Sequence, residues 1–305
     1  MKRETLIAGP DDAGKSVQRI LHDRLAMPHS KAKGLLLSGG VLRNGRGVTS
    51  PGERVAPGDR LEITSDPGAG RAAPRRAHRG HGYRIVHEEP DFVVVDKDPG
   101  LITVPSPSHR GESLIEILTD LYRKRGFRVP TMRAVHRIDR FTSGLVVVAR
   151  TGPAFGVLRS QFASGRPGRV YLAVAEGRIE RDEGRLVHRL AEHPVSLKVH
   201  PVEDERSGRK AVSSYRVKER FPTATLLEVR LETGRKNQIR VQLAAEGHSL
   251  VGDIVYGRPS GLIERTALHA CRLAFDHPSS GRRLEFEAPP PPDFLRLLSA
   301  LRRGA

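Results

Sequence analysis

The stretch His136-Arg137-Ile138-Asp139-Arg140-Phe141-Thr142-Ser143-Gly144 sets one carboxylate between two guanidinium groups and runs directly into the apolar segment Leu145–Ala149. Opposite charge on both sides favours the carboxylate form of Asp139. A polar turn anchored on a rigid strand is a common place for groups that act on a ligand. A carboxylate placed there can work as a base or as a nucleophile, and the flanking arginines suit an anionic substrate. A surface salt-bridge cluster is the plainer alternative. A kinase catalytic loop fits less well, because Ile138 separates Arg137 from Asp139 and no Asp-Phe-Gly follows.

A second motif competes with it. Gly9-Pro10-Asp11-Asp12-Ala13-Gly14-Lys15-Ser16 satisfies the phosphate-loop spacing in full, with Lys15 aimed at phosphates and Ser16 at a metal. Its context argues against a nucleotide. Only Leu6-Ile7-Ala8 precede it as a strand, two carboxylates sit inside the loop, and no train of strand–helix–strand units follows. An N-capped helix start is the simpler account. Gly68-Ala69-Gly70 touches the dinucleotide pattern but follows no buried strand.

The whole composition favours a polyanionic partner. The 305 residues carry 52 Lys and Arg against 35 Asp and Glu, a formal charge of +17. A single cysteine, Cys271, excludes an internal disulfide and a cysteine zinc site, and the lack of a disulfide framework points to the cytoplasm. No apolar run approaches the roughly 18 residues of a membrane span, and the apolar start is too short for a signal peptide. No metal or other cofactor is expected.

Three segments must position these groups. Residues 1–66 read as a small α+β module. Ser16 caps a helix carrying Val17, Ile20, Leu21 and Leu25, and a second helix starts near Ser30 with Leu35–Leu37. Strands at Val41–Arg43 and Leu61–Ile63 follow, with an Asn44-Gly45 hairpin turn. Residues 67–82 read as a Gly/Pro/Arg-rich linker. Counted to Arg84, that stretch holds five arginines and no acid, so it is expected to act as a flexible cationic tether that clamps a phosphate-bearing partner. Residues 83–305 alternate strands with occasional helices. Strands are expected at 84–87, 92–95, 145–149, 170–175, 213–217 and 224–231, with helices at 114–122 and 238–246. Consecutive strands predict a mixed, mainly antiparallel sheet, so the fold class is α+β.

The segment HRIDRFTSGLVVVAR resembles the HRLDRxTSGLLLxAK signature of RluA-type RNA pseudouridine synthases. Further resemblances follow in order. They are Ile85–Lys97 with the turn Lys97-Asp98-Pro99-Gly100, Val170-Tyr171-Leu172-Ala173, Gly234–Val241, Gly247–Asp253, Tyr256-Gly257 and Leu268-His269-Ala270. They span residues 84–290. Residues 1–66 resemble the RNA-binding domain named for ribosomal small-subunit protein four, in which Lys31 and Lys33 would face RNA phosphates.

The resemblance implies isomerisation of uridine to pseudouridine. The N-glycosidic bond breaks, the uracil turns in place and rejoins the sugar through carbon 5, after the base has been flipped out. It makes Asp139 the catalytic carboxylate, acting at the sugar as nucleophile or base, and Arg235 its ion-pair partner. Tyr171 would stack on the uracil and help remove the carbon-5 proton, with Ile239 on the ring's other side. Arg137 and Arg140 would grip the backbone or fill the gap left by the base. Lys236-Asn237 and Gln242 depart from the family's usual Thr-His and His. Ribosomal RNA is the expected substrate, with transfer RNA the competitor, a non-catalytic RNA-binding factor of the same fold the alternative function, and a monomer the expected state.

Overall fold

Ser16 starts the first helix as the sequence predicts. Its Oγ accepts a hydrogen bond from the Arg19 N–H at 3.2 Å, and helix α1 (Val17–Leu25) buries Val17, Ile20 and Leu21. The computed structural model describes residues 3–29, 32, 35–36, 40–48, 50, 52–64, 79–80, 82–106, 111–126, 132–204 and 206–305. The chain divides into two compact units, residues 1–76 and 77–305.

In the first unit, α1 packs on an antiparallel sheet ordered β1 (Arg3–Ile7), β4 (Arg60–Thr64), β2 (Val41–Arg43), β3 (Arg46–Gly47). Its core is Val17, Ile20, Leu21, Val41, Leu61 and Ile63. Asn44 and Gly45 take positive φ of 51° and 77°, the pairing that a two-residue hairpin requires. The phosphate-loop spacing forms no cradle. The Gly9 N–H donates to the Asp12 carboxylate at 2.9 Å, and Arg24 binds the same oxygen at 2.7 Å, so the loop's own carboxylate takes the place of an anion. The preceding β1 is also an edge strand of an antiparallel sheet, not a buried parallel one. Most of the second helix expected near Ser30, with Lys31 and Lys33, lies outside the described residues, as does the basic stretch 65–78. The expected linker 67–82 also includes described residues. Arg79–Gly80 forms β5 and pairs with the start of β6 (Tyr83–Glu88).

The second unit is one long sheet. From one edge it runs β12 (Val199–Val202), β11 (Glu183–Glu192), β13 (Arg209–Arg220), β14 (Ala224–Leu231), β10 (Gly168–Glu176), β15 (Leu268–Asp276), β9 (Ser143–Ala149), β7 (Phe92–Lys97), β6 and β5. Strand β8 (Arg133–Ala134) pairs with β9, and β16 (Arg283–Glu287) with β15. Among the described residues every pairing is antiparallel except β9 with β15. Strands β7 and β9 feed two cores through alternate side chains. Val93, Val95, Val146 and Val148 pack with helix α2 (Leu114–Lys124) and with helix α4 (Gln238–Ala245). Val94, Leu145 and Val147 pack on the other face with Leu158 of α3 (Gly152–Ala163). Helix α5 (Pro292–Arg302) covers the same sheet through Phe294, Leu297, Leu298 and Leu301 against Val174 and Leu226.

Candidate active site

Asp139 lies in the turn between β8 and β9, and the turn is held at nearly every residue. Thr103 Oγ1 donates to the Ile138 carbonyl at 2.9 Å and accepts the Ile138 N–H at 3.3 Å. The Gly100 N–H donates to the Arg140 carbonyl at 2.8 Å, and Arg140 Nε donates back to the Gly100 carbonyl at 3.0 Å. Beneath it, the fully buried Lys97 spends its ammonium on three carbonyls: Leu101 (2.8 Å), Asp98 (2.9 Å) and Arg140 (3.1 Å). Burial pulls its pKa down to about 7, against the opposing charge of Asp139. Arg265 donates to the Phe141 carbonyl at 3.1 Å. So many tethers on one short turn leave Asp139 little freedom, which is what a reacting group needs.

The exit from the turn depends on one glycine. Gly144 has φ +113° and pairs with Ala270 across the parallel β9–β15 contact. A Cβ there would overlap the Ala270 backbone, with its nitrogen at 2.7 Å. Gly144→Ala therefore combines a strained φ with backbone overlap. It should cost about 3 kcal/mol, read as a lower urea midpoint at unchanged slope. An unchanged midpoint would show that the contact relaxes freely.

The partner of Asp139 is Arg240, on α4. Its Nη1 reaches Asp139 Oδ2 at 3.3 Å, while Nε and Nη2 grip the completely buried Asp253 at 2.6 and 2.8 Å. Asn237 Oδ1 accepts a further bond at 3.1 Å, and the Tyr256 ring lies 5.0 Å from the guanidinium carbon. Burial opposes the charge of Arg240, but its hydrogen bonds to Asp253 and the charge of Asp139 outweigh it and raise its pKa. Asp253 shows the reverse balance. Burial pushes its pKa up, while Arg240 and the Val255 and Tyr256 N–H groups pull it lower overall.

Arg235 does not fill the role the sequence suggests for it. Its Nε donates to the Lys210 carbonyl at 3.0 Å, and its backbone N–H to Gln238 Oε1 at 3.0 Å. It stands in the turn before α4, whereas Arg240 stands inside the helix, on the same side as Asn237. Both arginines line one cleft of about 680 Å³ together with Asp139, Arg137, Tyr171 and Ile239. Arg140 is not part of that lining; it folds over the Phe141 ring at 5.0 Å. Tyr171 and Ile239 are 7% and 4% exposed, so each presents only a small part of its side chain to the cleft. Burial pushes the Tyr171 phenol up to about 12, with Arg169 opposing and Asp139 adding to the shift. The hydroxyl is therefore neutral at working pH.

The residues that depart from the family pattern are tied into the same frame. Lys236 binds Glu192 at 2.6 Å and the Leu197 carbonyl at 2.9 Å, on the cleft's rim. Asn237 joins Arg240 to the Tyr256 hydroxyl (3.1 Å). Gln242 is buried and fully used, accepting from Ser213 at 2.7 Å and donating to Leu186 and Ala211 carbonyls at 3.1 Å. Arg240, Asp253, Lys97 and Thr103 are the residues that residue-type reasoning did not single out. Arg240 lay within the Gly234–Val241 resemblance, but that resemblance implied Arg235, not Arg240, as the partner of Asp139.

Residues 91–245 match the RNA pseudouridylate synthase family. The chain is 34% identical over 285 residues to ribosomal large subunit pseudouridine synthase D of Zymomonas mobilis, covering 87% of each chain. To the protein of that name from Pseudomonas aeruginosa it is 39% identical over 234 residues, 72% of each. In three dimensions it aligns with human RNA pseudouridylate synthase domain containing 4 at a TM-score of 0.59 and 22% identity, over 72% of this chain and 92% of that one. No helix among the described residues is long and apolar enough to cross a membrane.

Proposed function

Because the chain belongs to the RNA pseudouridylate synthase family, and so isomerises uridine to pseudouridine in RNA, we propose that it acts on ribosomal RNA with Asp139 as the carboxylate at the sugar of a flipped-out uridine. The observation that carries this reading is the Asp139–Arg240 pair at 3.3 Å, on a turn tethered by Thr103, Lys97 and Arg265, in a cleft it shares with Tyr171. The substrate class rests on the named bacterial relatives.

The remaining roles follow from placement. Arg240 keeps Asp139 charged and oriented while the base enters and water leaves, the part first assigned to Arg235. Arg235, whose guanidinium meets only a carbonyl among the described residues, serves RNA binding instead. Tyr171 stacks on the uracil and Ile239 meets the ring's opposite side. Burial of the Tyr171 phenol, which raises its pKa, makes its oxygen a poor acceptor for the carbon-5 proton while the site is closed. Arg137 is exposed on the cleft and makes no ion pair among the described residues, which leaves it for the phosphate backbone or the vacated stack. Arg140 contacts RNA outside the cleft. Residues 1–66 act as the separate RNA-binding module, through Lys31 and Lys33, joined by the basic stretch 67–82 to the catalytic unit. The enzyme works as a monomer in the cytoplasm.

Transcripts of large-subunit ribosomal RNA and of transfer RNA, each carrying uridine tritiated at carbon 5, distinguish the substrates. Isomerisation expels the carbon-5 hydrogen, so tritium should be released from the ribosomal transcript. Release confined to transfer RNA would replace the proposed substrate.

A further inference from the structure

Arg169 lies two residues before Tyr171 on β10 and lines the same cleft. It is only 8% exposed, and its Nε and Nη2 have no hydrogen-bond partner among the described residues. No carboxylate pairs with it there. The Phe162 ring flanks it, 5.8 Å from Cζ, and Phe162 in turn stacks on His136 at 4.5 Å and 14°. His136 accepts the Val147 N–H on Nε2 at 3.1 Å, and burial followed by the charge of Arg169 pulls its pKa down to about 3. It is therefore a neutral part of the wall and supplies no counter-charge.

The position of the guanidinium depends on Gly234. A Cβ at that residue would overlap Arg169 Nη1, so the missing side chain is what admits the arginine to the cleft wall. Arg235 lies near enough for its charge to act against that of Arg169. A guanidinium stays protonated in a protein, and burying one with its forked edge unpaired is costly. Such a cost is kept where a ligand supplies the missing acceptors. Of the groups an RNA brings into this cleft, the uracil is neutral and the phosphodiester is anionic with paired oxygens that match the fork. Arg137 and Arg159, both exposed on the same lining, extend the cationic path outward.

We propose that Arg169 is a substrate-binding residue whose guanidinium takes the phosphate of the flipped nucleotide, fixing its sugar before Asp139. The proposal rests on the RNA pseudouridine synthase reading of the cleft and adds to it a phosphate site made by Arg169 and Gly234.

The test is tritium release from a large-subunit ribosomal RNA transcript labelled at carbon 5 of uridine, with kcat and KM measured across a salt series. Arg169→Gln is expected to raise KM about tenfold, with the smaller change in kcat. It should also flatten the plot of log(kcat/KM) against log salt by about 0.7 to 0.9, the loss of one phosphate contact. Arg169→Lys keeps the charge and should keep the wild-type slope. Gly234→Ala crowds the guanidinium out of place and should flatten the slope as Arg169→Gln does, which preserves the test if Arg169→Gln folds poorly. An unchanged slope in Arg169→Gln and Gly234→Ala overturns the proposal and leaves Arg169 a packing residue or a contact to a neutral uracil carbonyl. A wild-type enzyme that acts on transfer RNA instead overturns the ribosomal assignment alone, and the slopes are then compared on that transcript.

Discussion

Asp139→Asn is expected to slow tritium release from RNA labelled at carbon 5 of uridine by about four orders of magnitude, the scale seen when an essential catalytic group is lost. The change is nearly isosteric, and the turn around it is held by backbone and neighbouring side chains: Thr103 on Ile138, and Gly100 and Lys97 on the Arg140 carbonyl. Arg240 would keep its two bonds to Asp253, so no buried cation is orphaned. Stability and RNA affinity should therefore change little, while either form of chemistry at the sugar is lost, because an amide is neither a useful nucleophile nor a base. Parallel measurements of tritium release, RNA binding and thermal unfolding check this. Loss of binding along with activity would make Asp139 a structural or RNA-gripping residue.

Arg240→Met should cause the second-largest effect, and a different kind of effect. It leaves Asp253, which has no exposed surface, as an unpaired buried carboxylate, at a cost of about 3 to 5 kcal/mol of stability. It also removes the cation beside Asp139. The double change Arg240→Met with Asp253→Leu separates the two consequences. Removing both charges should recover much of the stability, whereas activity should remain lost because Asp139 is still without its partner. Arg240→Lys keeps a charge but not the fork that holds Asp253 and Asp139 together, and should lower kcat by roughly 100-fold through misplacement. Urea midpoints and tritium release on the same preparations decide. A double variant that regains activity with stability would show that Arg240 acts on the fold alone.

Where the sequence was legible, one periodic signal settled an element. The strand at 224–231 and the helix from Gln238 lie where alternation and spacing put them, and Ser16 caps α1. Other elements carried mixed signals. Strand β11 reads Glu-Gly-Arg-Leu-Val-His-Arg-Leu-Ala-Glu, too charged to look like a strand, because much of it is exposed near the sheet's edge. Helix α3 contains two glycines and begins with Gly-Pro, and only its Thr151 cap and buried Leu158 mark it. Strand β1 looked like a short apolar fragment because it is largely exposed and is held by pairing with β4, 53 to 61 residues further along the chain.

The site divides in the same way. Asp139, Arg137, Tyr171 and Ile239 are named by local motifs and meet in one cleft. The ion-pair partner was not legible, because two arginines five residues apart differ only in which one the helix turns toward Asp139. Lys97 was visible as part of a turn, but one of its three carbonyl contacts is to Arg140, 43 residues away. The unpaired edge of Arg169 exists only because β10 places it beside Phe162 and Gly234. Sequence motifs name groups that react; the groups that hold them are decided by tertiary contact.

The most direct test of the central claim is a pseudouridine map of large-subunit ribosomal RNA from cells expressing either the natural chain or Asp139→Asn at equal protein level. The account predicts that one or more discrete pseudouridines present with the natural chain are absent with Asp139→Asn, at otherwise unchanged sites. Identical maps from the two strains would contradict it.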